Sequence, residues 1–365
     1  MSTKPSSTIY HNHFMKLAFL QAKKVLGNTK ENPAVGCVIV KNSQVISASH
    51  TSKNGRPHAE TNALLLSKKK NVNASLYVTL EPCSHYGKTG PCTSLIKEQK
   101  IKKVFYSICD PDDRTYNKSK FFFKKNKIKF KENILKPFAL NFYKSYINYK
   151  KKNLPYVMAK IAVSKDLFTI NRRKKWITNE FSRQRVHLLR SIHDCLLTSS
   201  TTINSDNPDL TCRVNGLEST TPSCIIIDKK LKINVNSKVI KNANKRKTVI
   251  FYNNGNLKKI KFLKKKKVKL VKQKIVFNNF SLEDLLFKIK SMGYSRIFLE
   301  SGVNLTNNFL KKNLVNDLSL FISKYKIGTF GLKRFKINNY ISKKNSYSKE
   351  NVNLFGDQFI SYNIK

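Results

Sequence analysis

The first third of the chain alternates between helical and strand patterns of hydrophobic residues. Apolar residues recur at helical spacing over 13–26, whereas 35–40 and 44–49 are short β-rich runs that predict a hairpin turning at 41–43. Pro57, followed by good helix formers, predicts the start of a second helix. A strand over 75–80, a helix beginning near Cys92 and a strand over 102–108 continue the series. We therefore expect a layered α/β domain.

A second series of the same kind begins after Pro155. Strands are predicted over 156–163, 194–199, 224–228, 248–252, 295–300 and 317–323, and a helix over 180–190 is capped by Thr178 or Asn179. Between 144 and 155 the hydrophobic pattern is lost, which predicts a domain boundary. At 365 residues the chain also exceeds the usual size of one core. We predict two domains, residues 1–150 and 151–365.

The composition is strongly basic, with 71 Lys and Arg against 21 Asp and Glu and a formal net charge of +50. Such a charge usually indicates a polyanionic partner. Here the lysines are spread along the whole chain among abundant Asn and Ile, a mixture typical of codon usage in an A/T-rich genome. We therefore interpret the charge as compositional drift and predict no nucleic-acid partner, although a basic surface would attract phosphorylated small molecules.

Other features of the composition bear on location and on cysteine chemistry. No stretch approaches the roughly 18 consecutive apolar residues of a membrane helix, and the first residues carry no signal-peptide pattern. We expect a cytoplasmic protein with no membrane partner. The seven cysteines are odd in number and scattered, which argues against a disulfide framework. In a reducing compartment, a close pair of cysteines is more typical of a metal site.

The densest group of chemically active residues lies between positions 58 and 92. His58 and Glu60 stand at a predicted helix start, and Cys83 and Cys92 flank a loop after a predicted strand. One histidine and two thiolates would leave the fourth tetrahedral position of zinc open to water, which is the catalytic arrangement. Zinc lowers the pKa of that water from about 15.7 to near 7, and Glu60 would move its proton. These residues predict a zinc-dependent deaminase.

The segments NPAVGCVIV (32–40), PHAE (57–60) and VTLEPCSHYGKTGPC (78–92) resemble the cytidine-deaminase-like superfamily and, within it, the deaminase half of the bifunctional riboflavin-biosynthesis deaminase/reductase family. The long gap between the cysteines distinguishes this family from nucleoside and tRNA deaminases, because those generally carry PCxxC. The resemblance implies a cytidine-deaminase-like α/β/α fold with one zinc ion on His58, Cys83 and Cys92. The substrate contacts that it implies are Asn32, His50, His85, Lys88 and Asp110.

The second half has no GxGxxG fingerprint, so its residues alone do not indicate a nicotinamide site. The segment 174–213 nevertheless resembles the reductase half of the same family, which implies an α/β fold of the dihydrofolate-reductase type and NADPH as cofactor. By that resemblance the cofactor site comprises Val163, Trp176, Thr202, Asp206, Gly302, Val303, Asn304, Leu305, Thr306, Asn307 and Asn308. The implied substrate contacts are Lys174, Arg190, Leu210, Arg213 and Glu300.

Some of these implied roles also have a physical basis in the residue types. Arg190 and Arg213 carry planar forks that suit a ribose phosphate. Trp176, the only tryptophan, can stack on a cofactor ring or fill a core. A helix that begins after Gly302 would offer its unpaired N–H groups to an NADPH phosphate.

The chain departs from the family pattern in two places. Where the reductase half usually has SLDGR and then SGESxWIT, this chain has SKDLFTINRRKKWIT (164–178). Leu167 and Phe168 replace the glycine and arginine, and Lys174 replaces a serine. Loss of the glycine matters wherever the backbone takes a positive φ or closely approaches a ligand. In the first half, the segment after CDP (109–111) lacks the glycine-containing loop of the family.

We expect two consecutive reactions of riboflavin synthesis. Zinc-dependent deamination of 2,5-diamino-6-ribosylamino-4(3H)-pyrimidinone 5′-phosphate comes first, and NADPH then reduces the ribosyl group to ribityl. The expected partners are phosphorylated pyrimidines, and a homo-oligomer is compatible with the sequence. Three alternatives stay open: a deaminase with a decayed reductase half, a tRNA or other nucleic-acid base deaminase, and a zinc-stabilised binding protein with His85 as fourth ligand.

Overall fold

The computed structural model describes residues 7–277, 279–341 and 346–365. The chain divides into two compact units, Met1–Leu154 and Pro155–Lys365. Each unit has its own core of buried hydrophobic side chains. Along the described residues, no helix is both long and apolar enough to cross a membrane.

The first unit is built on a mixed sheet. Its strands are β1 (Gly36–Lys41), β2 (Gln44–His50), β3 (Ser75–Val78), β4 (Lys103–Tyr106) and β5 (Lys129–Lys131). Within residues 7–154 they follow the order β2-β1-β3-β4-β5. Strand β1 pairs antiparallel with β2 and β3, whereas β3, β4 and β5 run parallel. The run of apolar residues in β1 is explained by its central position, buried on both faces.

Helices accompany this sheet along the chain. They are α1 (Ser7–Lys23), α2 (Ala59–Ser67), α3 (Cys92–Glu98), α4 (Lys118–Lys125), α5 (Lys136–Phe142) and α6 (Lys144–Lys151), with short 3-10 helices at Lys53–Gly55 and Lys68–Asn71. Helix α1 packs so closely on β1 that a Cβ at Gly36 would lie 1.8 Å from the carbonyl oxygen of Ala18. Glycine is required there because of this close approach.

The two compact units divide after Leu154, at the end of the segment 144–155 in which the hydrophobic pattern is lost. Most of that segment is occupied by helix α6. Its buried face consists of Ser145, Tyr146, Asn148 and Tyr149. Polar residues and tyrosines are mostly counted as surface residues, so this face carries no hydrophobic signal. Helix α1 also begins and ends earlier than the predicted 13–26.

The second unit is built on a larger, mostly parallel sheet. Its strands are β6 (Tyr156–Val163), β7 (Phe168–Asn171), β8 (Cys195–Ser199), β9 (Ser223–Ile227), β10 (Thr248–Tyr252), β11 (Lys269–Lys272), β12 (Ile275–Val276), β13 (Asn279–Phe280), β14 (Arg296–Glu300), β15 (Asp317–Ile322), β16 (Gly331–Arg334), β17 (Tyr347–Lys349) and β18 (Gln358–Asn363). Over the described part of this unit, the main sheet has the order β11-β10-β9-β8-β14-β6-β15-β18-β17. The strands β11, β10, β9, β8, β14, β6 and β15 run parallel to one another. Strand β18 pairs antiparallel with β15, and β17 pairs antiparallel with β18. Two small ribbons pair β7 with β16 and β12 with β13.

Crossover helices connect the parallel strands of the second unit. They are α7 (Glu180–Ser191), α8 (Ser200–Asp206), α9 (Lys238–Lys241), α10 (Leu257–Lys265), α11 (Leu282–Ser291) and α12 (Val303–Lys311), with 3-10 helices at Glu218–Thr220, Gly328–Phe330 and Ile337–Asn339. Of the two predicted caps of α7, Asn179 is the one that accepts the Ser182 N–H, at 3.0 Å. Parallel neighbours β8 and β14 end at the same edge of the sheet, where ligands usually bind in α/β folds.

Candidate active sites

Two loops and a helix start bring the three predicted zinc ligands of the first unit together. His58 precedes α2, Cys83 follows β3, and Cys92 is the first residue of α3. The Nδ1 atom of His58 lies 3.6 Å from Cys83 Sγ and 3.4 Å from Cys92 Sγ. All three ligand atoms lie within 4.8 Å of one another. This spacing suits one ion at about 2.0–2.3 Å from a nitrogen and two sulfurs.

The donor set leaves the fourth corner of a tetrahedron open. Among the described residues, no further His, Cys, Asp or Glu joins the group. His85 instead has its Nδ1 3.1 Å from the Thr115 hydroxyl oxygen. Catalytic zinc keeps three protein ligands, whereas structural zinc has four. The residues present therefore fit a catalytic zinc ion, and the hypothesis of a zinc-stabilised binding protein lacks its fourth ligand.

The cysteine pair is electrostatically prepared for a cation. Hydrogen bonds with the Cys92 side chain and with His58 outweigh burial and lower the pKa of Cys83 to about 4. The Cys92 backbone N–H also donates to the Cys83 sulfur, at 3.3 Å. The hydrogen bond to Cys83, together with burial, raises the pKa of Cys92 well above its usual value. Cysteines bind a metal as thiolates, so binding of an ion would release any proton that the pair still holds.

Glu60 lies in the first turn of α2, two residues after His58. The residue is 4% exposed, and burial raises the pKa of its carboxyl to about 7. A carboxyl held beside the metal ligands and titrating near neutrality can both accept and release a proton.

The expected substrate residues of the first unit are held in different ways. Asn32 packs so closely on Gly55 that a Cβ there would lie 2.2 Å from Asn32 Nδ2, and Gly55 also has a φ of +92°. Asn62 of α2 donates to the His50 carbonyl oxygen at 2.9 Å. This bond ties the end of β2 to the helix that carries Glu60.

Asp110 and Lys88 differ most in exposure. Asp110 is buried, its Oδ1 accepts the Tyr146 hydroxyl at 3.0 Å, and burial raises its pKa to about 6. Lys88 is exposed in the loop between the two cysteines. Arg56 donates to the Thr89 hydroxyl of that loop at 2.7 Å, which ties the loop to the chain just before His58.

Glu81 is a residue of this region that the sequence analysis does not single out. It is 3% exposed, directly precedes Pro82 and Cys83, and accepts hydrogen bonds from the loop after β4. A charged residue at the end of an apolar strand, inside the EPC segment, is the sequence signal that marks it.

In the second unit, Arg190 and Glu300 form a buried bidentate ion pair. Arg190 donates to both carboxylate oxygens of Glu300 at 2.9 Å and to the Thr211 carbonyl oxygen at 2.8 Å. Burial alone would raise the pKa of Glu300, but Arg190 outweighs it and lowers the pKa to about 2. These contacts occupy the guanidinium fork of Arg190, which therefore orients Glu300 in this structure; its expected contact with the substrate stays a prediction.

Lys160 is the residue of the second unit that sequence analysis misses. It lies in β6 directly opposite Glu300 of β14, so both side chains project from the same face of the sheet. Burial lowers the pKa of Lys160, and the charge of Glu300 opposes that effect. A single lysine inside the apolar strand YVMAKIAV is the signal that could have marked it.

The loop 207–213 places its two expected substrate residues differently. Leu210 is 3% exposed and its side chain belongs to the hydrophobic core, so an expected contact with the substrate would have to use its backbone. The Arg213 side chain is 58% exposed and lies 3.6 Å from Asp209. His187 Nδ1 contacts the backbone of the loop, 2.8 Å from the Thr211 carbonyl oxygen and 3.1 Å from the backbone nitrogen of Arg213. Of the two expected phosphate forks, Arg213 is the accessible one.

Several expected cofactor residues meet at the ends of β8 and β14. The Gly302 N–H donates to the Thr202 hydroxyl at 3.2 Å, and Ser199 Oγ lies 3.0 Å from the same hydroxyl. A Cβ at Gly302 would have Thr202 Oγ1, at 3.9 Å, as its one described neighbour within 4 Å. The turn before α12 is therefore open to a ligand, and its donors fit a dinucleotide phosphate.

Within α12 the expected cofactor residues divide between core and surface. Val303 and Thr306 are buried, and the Thr306 hydroxyl donates to the Gly302 carbonyl oxygen at 3.4 Å. Asn304 and Asn308 are exposed, and the half-buried residues are Leu305 and Asn307. The side chains of Val303 and Thr306 thus face the core, which is compatible with the expected contact through backbone N–H groups. The backbone of the first turn is what this helix offers.

The remaining expected residues of the second unit lie near the ends of elements. Val163 ends β6 and is buried, whereas Asp206 ends α8 and is exposed. Trp176 is 58% exposed, with the Arg183 guanidinium 4.9 Å from its ring centroid, so it is not a core residue. Lys174, in the same segment, is also exposed.

The segment 164–168, whose sequence departs from the family pattern, forms a closed turn. Leu167 occupies the position of the family's glycine with a φ of +69°. The Asp166 carboxylate accepts the N–H groups of Ile327 and Gly328 at 3.0 and 2.8 Å. The turn is therefore kept, with a leucine in a backbone conformation that costs such a residue about 1–2 kcal/mol.

Two family models match the chain. A model described as the RibD C-terminal domain matches residues 155–343, and a model described as the cytidine and deoxycytidylate deaminase zinc-binding region matches residues 9–108. The second match includes His58, Glu60, Cys83 and Cys92.

Individual relatives match across most of their length. The riboflavin biosynthesis protein RibD of Actinobacillus pleuropneumoniae is 32% identical over 86% of this chain and 84% of its own. That of Aquifex aeolicus is 33% identical over 85% of this chain and 86% of its own. Among solved structures, Acinetobacter baumannii RibD has a TM-score of 0.83 and 26% identity, covering 99% of this chain and all of that one.

A solved structure from Thermotoga maritima, named as a diaminohydroxyphosphoribosylaminopyrimidine deaminase/5-amino-6-(5-phosphoribosylamino)uracil reductase, has a TM-score of 0.83 and 28% identity over 98% of this chain and 99% of that one. The predicted fold class is confirmed, with a cytidine-deaminase-like domain followed by a reductase domain of the dihydrofolate-reductase type. The matches favour the riboflavin interpretation over a nucleic-acid deaminase. This chain belongs to the RibD family of riboflavin biosynthesis proteins.

Proposed function

We propose that residues 1–150 deaminate 2,5-diamino-6-ribosylamino-4(3H)-pyrimidinone 5′-phosphate and that residues 151–365 reduce the product with NADPH. The observation that carries the proposal is the three-ligand group of His58, Cys83 and Cys92 with Glu60 in the adjoining helical turn. Both substrates are phosphorylated pyrimidines, and the free cysteines suit the reducing cytoplasm.

The deaminase chemistry rests on the four residues of the first site. His58, Cys83 and Cys92 would hold a zinc ion, which would supply a water molecule of lowered pKa as the nucleophile at neutral pH. Glu60 would accept the two protons of that water in turn, giving one to the ring nitrogen and the other to the departing amine. The attacked ring carbon exchanges its amino group for an oxygen, and ammonia leaves. Because Glu60 is buried, bulk water is kept from its carboxyl.

The substrate of the first site is held by polar groups around the metal ligands. Asn32 can donate to and accept from the edge of the pyrimidine. His50 lies at the end of the strand that is tied to α2. His85 and Lys88, between the two cysteines, suit the 5′-phosphate, and Asp110 completes the set of contacts.

The reductase chemistry uses the polar groups at the edge of the second sheet. NADPH, when bound, would supply a hydride to C1′ of the ring-opened ribosyl group, while the nitrogen attached to C1′ would gain a proton from solvent. Lys160 and Glu300, side by side on one face, offer a donor and an acceptor to the pyrimidine. Arg190 keeps Glu300 ionised and oriented, and Arg213 offers its accessible fork to the ribose phosphate. Thr202 and the turn at Gly302 would hold the cofactor, and Val163, Trp176 and Asp206 are its further expected contacts.

One assay tests both halves of the proposal. Zinc-loaded protein is given the diaminopyrimidine ribotide with NADPH, and ammonia is measured together with the loss of absorbance at about 340 nm that accompanies hydride transfer. Release of ammonia followed by oxidation of NADPH is the expected result. Ammonia without NADPH oxidation would support a decayed reductase half, and absence of ammonia would reject the deaminase assignment.

A further inference from the structure

The buried carboxylate of Glu81 gathers the loop that follows β4. Its Oε2 atom accepts the backbone N–H groups of Asp110 at 3.1 Å and Asn117 at 3.0 Å. Its Oε1 atom accepts the Ser119 N–H at 3.0 Å and the Ser119 hydroxyl at 2.8 Å. Residues 110–119 are thereby closed around one side chain.

The chemistry of these contacts calls for a carboxylate. An ionised carboxylate is acceptor-only and has about four lone-pair sites, which matches the donors aimed at Glu81. A glutamine would turn an NH₂ group toward donors on one side, where no bond can form. These four donors are uncharged, and their hydrogen bonds offset the cost of burying the carboxylate.

The same loop meets the metal-binding segment at a second point. Thr115 Oγ1, in the middle of the loop, lies 3.1 Å from Nδ1 of His85, which stands between Cys83 and Cys92. Glu81 itself directly precedes Pro82 and Cys83. The segment 110–119, which runs from the loop after β4 into the first turn of α4 and is called the loop 110–119 here, is therefore fastened at both ends to Glu81 and in its middle to the loop between Cys83 and Cys92.

We propose that Glu81 is a positioning residue of the deaminase. It fixes the loop 110–119 so that Asp110 and, through Thr115, His85 face the substrate beside the metal ligands. This inference rests on the proposed deaminase function of the first unit. Because Glu81 acts on substrate contacts and not on the metal or on Glu60, its loss should change KM much more than kcat.

The test uses the full zinc-loaded chain with the Glu81→Gln substitution and a milder one, Ser119→Ala, which removes the hydroxyl donor alone. Ammonia release should show KM raised about tenfold by Glu81→Gln and about threefold by Ser119→Ala, with kcat within about twofold. Zinc content should stay at one ion per chain. Amide hydrogen exchange should become faster at Asp110, Asn117 and Ser119, which a loss of substrate contact alone would not cause. The double variant should resemble Glu81→Gln, because both changes act on one cluster.

Unchanged KM and unchanged amide exchange in Glu81→Gln would overturn the inference. Loss of zinc, or a fall in kcat at constant KM, would also overturn it, because Glu81 would then act through the metal ligands. If Glu81→Gln does not fold, Ser119→Ala decides by the same criteria. If the unaltered chain neither releases ammonia nor binds the ribotide in calorimetry, it is the proposed function that is refuted.

Discussion

The two buried glutamates of the candidate sites have opposite electrostatics. Burial raises the pKa of Glu60 to about 7, whereas Glu300, whose side chain is also mostly withdrawn from solvent at 15% exposure, has a pKa of about 2 because the Arg190 guanidinium binds both its oxygens. The partner, and not the burial, decides which form of the carboxyl is stable. Glu60 is therefore suited to exchange a proton, and Glu300 to remain ionised.

The two sites also differ in how they are distributed along the chain. The ligands and the glutamate of the first unit come from residues 58–92. Those of the second come from β6, α7, the loop 207–213 and the end of β14, and the pairing of strands brings them together. A site within one segment can be recognised as a motif, whereas a site assembled by strand register cannot.

The largest expected effect is that of Glu60→Gln. The amide cannot move a proton, so ammonia release should fall by about 10²–10⁴-fold. Zinc content and NADPH oxidation with the already deaminated substrate should be unchanged, because the second unit does not use Glu60. Undiminished ammonia would contradict the mechanism and remove the contrast between the two glutamates.

The second prediction concerns the buried ion pair. Arg190→Ala leaves the Glu300 charge buried without its partner, and the free energy of unfolding of the second unit should fall by about 3–5 kcal/mol. Chemical denaturation measures it. Lys312→Ala is the matched control, since Lys312 and Glu283 form a surface pair, about half exposed, that is worth about 1 kcal/mol or less. Equal losses in both variants would show that burial of the pair has no energetic consequence.

The ion pair also predicts a pH dependence with a definite sign. The pKa of Glu300 is about 2 in the folded protein and 4.5 ordinarily, so its contribution to stability is complete above pH 4.5 and is lost as the pH falls toward 2. The Glu300→Gln variant should show a flatter decline of the melting temperature over that window. An identical decline in both proteins would contradict the lowered pKa.

Much of the fold could be predicted because buried strands carry uninterrupted apolar runs. Strands β6 and β10 have the predicted bounds, and the hairpin of β1 and β2 lies where the pattern indicates it. Strands β16 to β18 carry no comparable run: β17 is exposed throughout, and β18 is held by pairing with β15. Their existence depends on distant partners, which no local pattern reports.

The sites divide in the same way. The spacing of His58, Cys83 and Cys92 predicted that they bind one metal ion, and the structure brings these residues together. The residue type of Arg190 suggested a phosphate fork, but the packing of α7 against the end of β14 gives that fork to Glu300. Lys160 was missed for the same reason, since only the register of β6 with β14 places it beside Glu300.

The next prediction tests whether the turn at 164–168, where the second unit departs from the family pattern, is strained. Among the described residues, positive-φ positions are often occupied by Asn, Lys or Leu, in keeping with a chain that has only 12 glycines. Leu167→Gly removes a left-handed leucine, and the free energy of unfolding should rise by about 0.5–1 kcal/mol after the entropy of glycine is counted. Lys165→Gly, in the same turn at an ordinary φ, should lower it instead.

The activity of Leu167→Gly separates two views of the reductase half. If the closed turn is sufficient, NADPH oxidation should change by less than about twofold, because Asp166 already holds Ile327 and Gly328. A rise of tenfold or more would show that replacement of glycine has impaired the second site, as the decayed-reductase alternative requires.

The smallest effect is expected from substitution of exposed lysines on the basic surface, which should leave the activities of both units unchanged. In α10 and the turn after it, Leu263 and Val268 are buried while 264–267 are exposed lysines. Replacing Lys264, Lys265 and Lys266 by Gln should change the free energy of unfolding by less than about 0.5 kcal/mol and leave ammonia release and NADPH oxidation within about twofold. Leu263→Ala, on the buried face of the same helix, should cost about 2–5 kcal/mol.

Bulk tRNA added to both assays decides whether those lysines are more than a solvated face. Compositional drift predicts that tRNA at physiological salt inhibits neither activity, with or without the three substitutions. Inhibition of the unaltered chain that weakens with salt and is lost in the triple variant would identify a selected polyanion surface. The protein would then have a functional surface besides its two sites, and that surface would act through its summed charge and not through any one residue.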